Sequence, residues 1–343
     1  MLGIAAVSDD ANPGLTAMIR GVELAVEQYN GNPDSRYEIE LKELGIKPAP
    51  GEAGATEGDI TKTERLIGVV GPFSEQEITE IGPNFEASRM SFVVPPITAT
   101  SVPQGGWTTF RRLVANDRQE GEVLSRYAAG KVDGGIVIVA EDSDAGAAFA
   151  AGAKEWLDGN GRPPARTESV EAGDALGNLG TSLTQAAPGA ILYGGGGQTG
   201  TALLEALRKA EFKGLFVASH QLREMHPGGL GAGVVSSSPA ADPSDAASER
   251  FATSYRDEYG AVPGPYALEA YEGALMLLEA VEEVEARPRD VTEFFRRNTS
   301  FLGDSKRYDF DASGELPDAP LWIYESAEGS WRLAGRSDRV IAG

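Results

Sequence analysis

The chain has 343 residues and 41% hydrophobic content, enough for two packed lobes and too apolar for a disordered chain. It holds no cysteine and two histidines, His220 and His226, which excludes disulfide frameworks, thiol nucleophiles and histidine-rich metal centres. A formal net charge of −22 repels nucleic acid and anionic lipid, and no stretch approaches the roughly 18 apolar residues of a membrane span.

The apolar run 2–7 is expected to form a strand. No basic segment precedes it, so no signal peptide is expected in this sequence. Leu15, Met18, Ile19, Val22, Val26 and Tyr29 then fall on one helical face. Residues 37–41 alternate like a strand, and 66–70 form a second apolar run that stops at Gly71-Pro72. Ser74 opens a helix expected over 75–88, inside which Gly82-Pro83 predicts a kink or a split. A strand over 91–94 leads into a loop with Pro96, Thr98 and Thr100. Asp117 precedes a helix over 118–130, where an N-cap is the plain reading. Further strands are expected at 135–140, 190–193 and 215–218, and further helices at 145–159, 199–210 and 245–259. Prolines cluster in linkers such as Pro48-Ala49-Pro50 and Pro163-Pro164.

Strand–helix alternation with continuous apolar strands predicts an α/β fold of parallel sheets flanked by helices. Residues 66–96 and 190–220 repeat one pattern: strand, glycine-containing turn, helix, polar break, strand. This predicts two lobes of similar topology. Crossings are expected at 113–116, in the linker-like 234–243, and near 314–320. The lobes would then be 1–115 with 239–316, and 116–238 with 317–343.

Ser74-x-x-Glu77 fits a capping box, which explains the serine without a ligand. The same helix start also favours an anion. Gly195-x-Gly197-x-x-Gly200 has the form of a dinucleotide turn, but the next strand ends in Ser219-His220-Gln221, where a ribose-binding acid belongs. Asp309-x-Asp311-x-Ser313-Gly314 begins like a calcium loop, yet its twelfth position is Pro320, so a tight turn with Gly314 at positive φ is expected. Glu141, Asp142 and Asp144 suit a helix start better than a metal.

The ordered series VVGPFSEQE, PPITATSVP, TFRRLVANDRQEG, VIVAEDSDAG, YGGGG, GPYALEAYEGALMLLEAV and YDFDASGE resembles the periplasmic binding proteins of the branched-chain amino-acid type, solute-binding components of ABC transporters. The resemblance spans nearly the whole chain. It implies two Rossmann-like lobes joined by a three-strand hinge, with a ligand cleft between them. It also implies that Ser74 and Thr98 hold a carboxylate beside a backbone contact at Pro96, and that Asp117 holds an ammonium. Three positions depart from the family: Ala145 replaces a tyrosine, the turn at Gly196 lacks an aromatic, and His220 stands where a second acid is expected. A ligand with a carboxylate and no amine therefore stays open.

The resemblance implies an extracytoplasmic, monomeric, non-enzymatic binding protein with no cofactor. Its partners would be an amino acid or related polar metabolite and a membrane permease. Two other readings are a ligand-sensing domain of the same fold, and a nicotinamide-dependent enzyme resting on Gly195, Gly197 and Gly200.

Overall fold

The computed structural model describes residues 1–6, 12–45, 66–102, 106–223, 230–327 and 329–341. Val7, the segment Pro48-Ala49-Pro50 and His226 lie outside the described residues. The chain divides into two compact units. The first is Met1–Ile97, Ser101–Val114 and Ala240–Ala319; the second is Thr98–Thr100, Ala115–Pro239 and Pro320–Gly343.

In chain order the first elements are β1 (Leu2–Ala6), α1 (Pro13–Gly31), β2 (Leu41–Gly45), β3 (Val69–Val70), α2 (Glu75–Ala87), β4 (Phe92–Val94) and β5 (Phe110–Arg112). Next come α3 (Asp117–Lys131), β6 (Ile136–Glu141), α4 (Asp144–Gly159), β7 (Arg166–Val170), α5 (Gly177–Gln185), β8 (Ala190–Gly194), α6 (Gly197–Lys209), β9 (Leu215–Ala218), α7 (His220–Arg223) and β10 (Val234–Ser238). The last are α8 (Glu249–Tyr259), α9 (Ala267–Glu283), α10 (Pro288–Arg297), β11 (Ser300–Leu302), β12 (Arg307–Asp309), β13 (Trp322–Ala327), β14 (Ser330–Arg336) and α11 (Ser337–Val340).

The first unit holds a five-stranded sheet, β2-β1-β3-β4-β5, parallel throughout. The second holds a seven-stranded sheet, β14-β13-β10-β9-β8-β6-β7, parallel except for β13 and β14. Helical crossovers bury both faces of the parallel strands, which is why β6 and β8 read as unbroken apolar runs.

Three expectations need correction. The strand expected at 37–41 starts at Leu41. The Asn30 side chain bonds both backbone groups of Ile39, accepting its N–H and donating to its carbonyl at 2.8 Å each, so neither is left for a neighbouring strand. Of the kink or split expected at Gly82-Pro83, the split does not occur: Pro83 sits exposed inside the continuous helix α2. The linker-like 234–243 contains β10, a buried strand between β9 and β13. Its serines are compatible with burial because their hydroxyls are bonded: Ser236 Oγ donates to the Ser219 carbonyl at 2.9 Å, and Ser237 Oγ to Glu120. The turn at 311–314 forms as expected, with Gly314 at φ 81° and Asp311 Oδ1 accepting the Ser313 and Glu315 N–H groups at 2.8 and 3.1 Å.

Among the described residues, each unit holds contacts of unusual closeness or polarity. In the second unit α3 and α4 meet backbone to backbone. A Cβ on Gly121 would stand 2.0 Å from the Phe149 carbonyl oxygen, and one on Gly152 1.9 Å from that of Arg118. In the first unit α9 buries two acids. Glu272 accepts the N–H and Oγ–H of Ser305 at 2.7 Å each, and the Tyr308 hydroxyl. Glu269 accepts the Ala241 N–H at 2.8 Å and lies 3.5 Å from the Lys306 ammonium.

Candidate functional site

In the first unit, Ser74 and Pro96 follow the neighbouring strands β3 and β4. Gly71, at φ 106°, carries the chain out of β3 and donates its N–H to the Val93 carbonyl at 2.8 Å; the Gly71-Pro72 bond is cis. Ser74 is exposed and caps α2, its Oγ accepting the Glu77 N–H at 3.3 Å. Glu77 completes the box by accepting the N–H groups of Phe73 and Ser74 at 3.0 Å each. The hydroxyl proton of Ser74 is not used by this cap, so the residue can cap and still donate to an anion. The loop bearing Pro96 is held by Arg112, whose guanidinium donates to the Ile97 and Val102 carbonyls and pairs with Glu315 at 2.8 Å.

In the second unit, the N-cap of α3 is Asn116, in a capping box with Gln119 (3.0 and 2.8 Å), and not Asp117. Asp117 is the first helical residue, 3% exposed, and its N–H donates to the Thr98 carbonyl at 2.9 Å. The plain N-cap reading of Asp117 is thereby overturned: its carboxylate is placed in the interior, not at the helix cap. One turn on, Glu120 is also 3% exposed. Glu120 accepts the backbone N–H of His220 at 2.7 Å and the Ser237 hydroxyl, and its second oxygen lies 2.9 Å from His220 Nδ1. An ionised carboxylate only accepts, so Nδ1 carries the proton in this contact. Donor atoms of Asp117, Glu120 and His220 lie within 4.8 Å of one another. Both oxygens of Glu120 already accept hydrogen bonds, from His220 and Ser237, so Glu120 and His220 form a bonded carboxylate–imidazole pair with the Asp117 carboxylate close by.

The glycine turn after β8 has a different occupant from the one its motif suggests. Glu141, at the end of β6, accepts the Gly196 N–H at 2.5 Å and the Thr199 hydroxyl at 2.7 Å. A carboxylate of the protein itself therefore stands at the start of α6, where a dinucleotide's pyrophosphate would have to bind. Burial, and then the Glu141 charge, hold the Tyr193 phenol well above its ordinary range, and its hydroxyl donates to the Gly196 carbonyl at 2.9 Å. Ala145 is half-buried in the first turn of α4. Its neighbour Gly146 allows close approach to β6, since a Cβ there would stand 2.2 Å from the Glu141 carbonyl oxygen.

The structure thus joins Thr98, Asp117 and His220 in one unit, and sets Ser74 and Pro96 at one sheet edge in the other. Gly196 and Ala145 stand near Glu141 through the turn and the helix start. Sequence reasoning missed Glu120 and Ser237, and weighed Glu141 as a helix-start acid against a metal ligand, not as the acceptor for the glycine turn. Glu120 had a usable signal, because Asp117 and Glu120 are three residues apart and share a helical face.

The model of the family described as periplasmic binding protein matches residues 4–330. No curated protein matches the sequence. Several solved structures share the fold. An ABC transporter substrate-binding protein from Desulfitobacterium hafniense in complex with Leu is 17% identical, with a TM-score of 0.81, over 97% of this chain and 98% of that one. A putative branched-chain amino acid ABC transporter protein from Rhodospirillum rubrum is 18% identical, TM-score 0.82, over 97% and 99%. An ABC transporter solute-binding protein from R. palustris in complex with benzoate is 16% identical, TM-score 0.71, over 98% and 95%.

Proposed function

The chain belongs to the periplasmic binding protein family, and from that premise we propose that it is the extracytoplasmic solute-binding component of an ABC transporter and that its ligand is an amino acid. It works as a monomer, binds without catalysis, and presents its closed form to a membrane permease. Closure brings together the lobes 1–115 with 239–316 and 116–238 with 317–343.

One observation carries the ligand class: two buried carboxylates, Asp117 and Glu120, share the first turns of α3. With His220 neutral the cluster carries a formal −2, and with His220 protonated −1, so it attracts a cation in either state. Glu120 supplies the second acid that the sequence lacks at His220. The relatives' ligands, leucine and benzoate, both carry a carboxylate, and only leucine carries an amine. In this reading Asp117 takes the ammonium. Ser74, Thr98 and the backbone near Pro96 take the carboxylate. Ala145 and Gly196 leave room for the side chain, and His220 orients Glu120.

The test is calorimetric titration with a panel of amino acids, each paired with its deaminated carboxylate, leucine against 4-methylpentanoate for example. The amino acid that binds should lose about 2–5 kcal/mol with Asp117→Ala, the cost of truncating a buried charge pair. A deaminated analogue that binds as tightly as its parent, or a variant that binds as tightly as wild type, overturns the assignment.

A further inference from the structure

On a chain of formal charge −22, one face of the first unit runs against the overall sign. An open cavity of about 830 Å³ is lined by five arginines, Arg89, Arg287, Arg289, Arg296 and Arg297, against three acids, Glu86, Asp290 and Glu293. Five minus three leaves a formal +2.

The acids are already committed. Glu86 accepts the N–H and hydroxyl groups of both Thr108 and Thr109 at 2.6–3.1 Å. Glu293 receives Arg296 at 2.7 and 2.8 Å and Arg297 at 2.7 Å, while Asp290 receives Arg287 at 2.6 Å. Arg89 and Arg289 make no side-chain bond or ion pair among the described residues, and both are exposed.

Arg89 is also held by its backbone. It sits at φ 51°, a left-handed conformation that is uncommon for arginine. Its carbonyl accepts the Thr292 hydroxyl of α10 at 2.8 Å, which ties the loop after α2 to the helix carrying the other arginines. Arg89 takes this conformation as the residue that ends α2, its N–H donating to the Glu86 carbonyl at 3.0 Å and that of Met90 to the Phe85 carbonyl at 2.9 Å.

We propose that this cavity binds a polyanion through its phosphate groups, with Arg89 and Arg289 as the primary contacts. The planar guanidinium fork matches phosphate oxygens, and two uncommitted forks ask for a ligand of at least two charges. The phosphates could come from a soluble diphosphate or from the headgroups of an anionic membrane.

Inorganic pyrophosphate titrated calorimetrically into the full chain at low salt tests the first source. Pelleting with phosphatidylglycerol vesicles, against phosphatidylcholine vesicles, tests the second. The wild type should bind in one arm. The double variant Arg89→Ala/Arg289→Ala should lose at least about tenfold there, as expected for removing two charge-assisted contacts, and melt at the wild-type temperature without ligand. Pyrophosphate binding assigns a soluble ligand, and vesicle binding alone assigns a headgroup. A wild type that binds in neither arm, or a folded double variant that binds equally well, overturns the site.

Discussion

Glu272 should make the stability of this protein fall as pH rises. The carboxyl is 1% exposed. Burial pushes it up, and the Tyr308 and Ser305 hydrogen bonds and the nearby Lys306 ammonium only partly offset that, leaving it at about 7 against an ordinary 4.5. The charged and titratable groups around it are Lys306, Glu269 and Tyr308. In the unfolded chain Glu272 loses its proton near 4.5, whereas in the folded chain it keeps it to about 7. Between those values the folded state holds the extra proton, so each rise in pH favours unfolding. The difference of 2.5 corresponds to about 3 kcal/mol, absent below pH 4.5 and complete above pH 7. Glu272→Gln stays neutral throughout and removes this dependence. Chemical denaturation of both proteins from pH 4.5 to 8 reads it directly. The stability of wild type minus that of the variant should drop by about 3 kcal/mol across the range. A difference that stays flat, or that grows with pH, refutes the argument that burial outweighs the hydrogen bonds.

Ser74→Ala should cost about 1 kcal/mol of stability through the lost cap, and weaken ligand binding as well. Denaturation and titration on the same variant separate the two, and a stability loss with unchanged affinity reduces Ser74 to a cap. Glu141→Ala strips the Gly196 N–H and the Thr199 hydroxyl of their acceptor, and should lower stability by about 1–3 kcal/mol in thermal melts. An unchanged melt would mean that water replaces the carboxylate without loss. Gly152→Ala puts a methyl against the Arg118 carbonyl, for which overpacking of about 1–3 kcal/mol is expected, together with weaker binding because α3 is displaced. A variant as stable and as tight-binding as wild type would contradict the close helix contact.

Much of the α/β pattern was legible because parallel strands buried on both faces leave an uninterrupted apolar signal. β9 spans the expected 215–218, and β6, β8, α2 and α4 lie within two residues of their expected bounds. The signal failed where polar groups satisfy one another out of sight. β10 looks like a linker because three of its five residues are serine, and only the fold reveals their acceptors. β2 was misplaced because a side chain from α1 takes the backbone groups of Ile39. α9 is buried on nearly every side, so it has no single apolar stripe, and no helix was expected over its residues. At the candidate site, Ser74 and Asp117 were legible from their places beside helix starts. The bond between Glu120 and His220 was not, because it joins residues 100 apart in the chain.

The glycine pair that brings α3 and α4 into backbone contact has an evolutionary consequence. Asp117 opens one helix and Ala145 lies in the first turn of the other, and reciprocal carbonyl contacts through Gly121 and Gly152 fix the distance between these two starts. A descendant of this protein cannot change its ligand by sliding one helix along the other, because any side chain at either glycine would strike a carbonyl. Specificity can drift only by exchanging residues at the helix starts and in the loops that precede them. On the proposed reading, Asp117 and Ala145, each in the first turn of its helix, are positions open to such exchange on an unaltered frame.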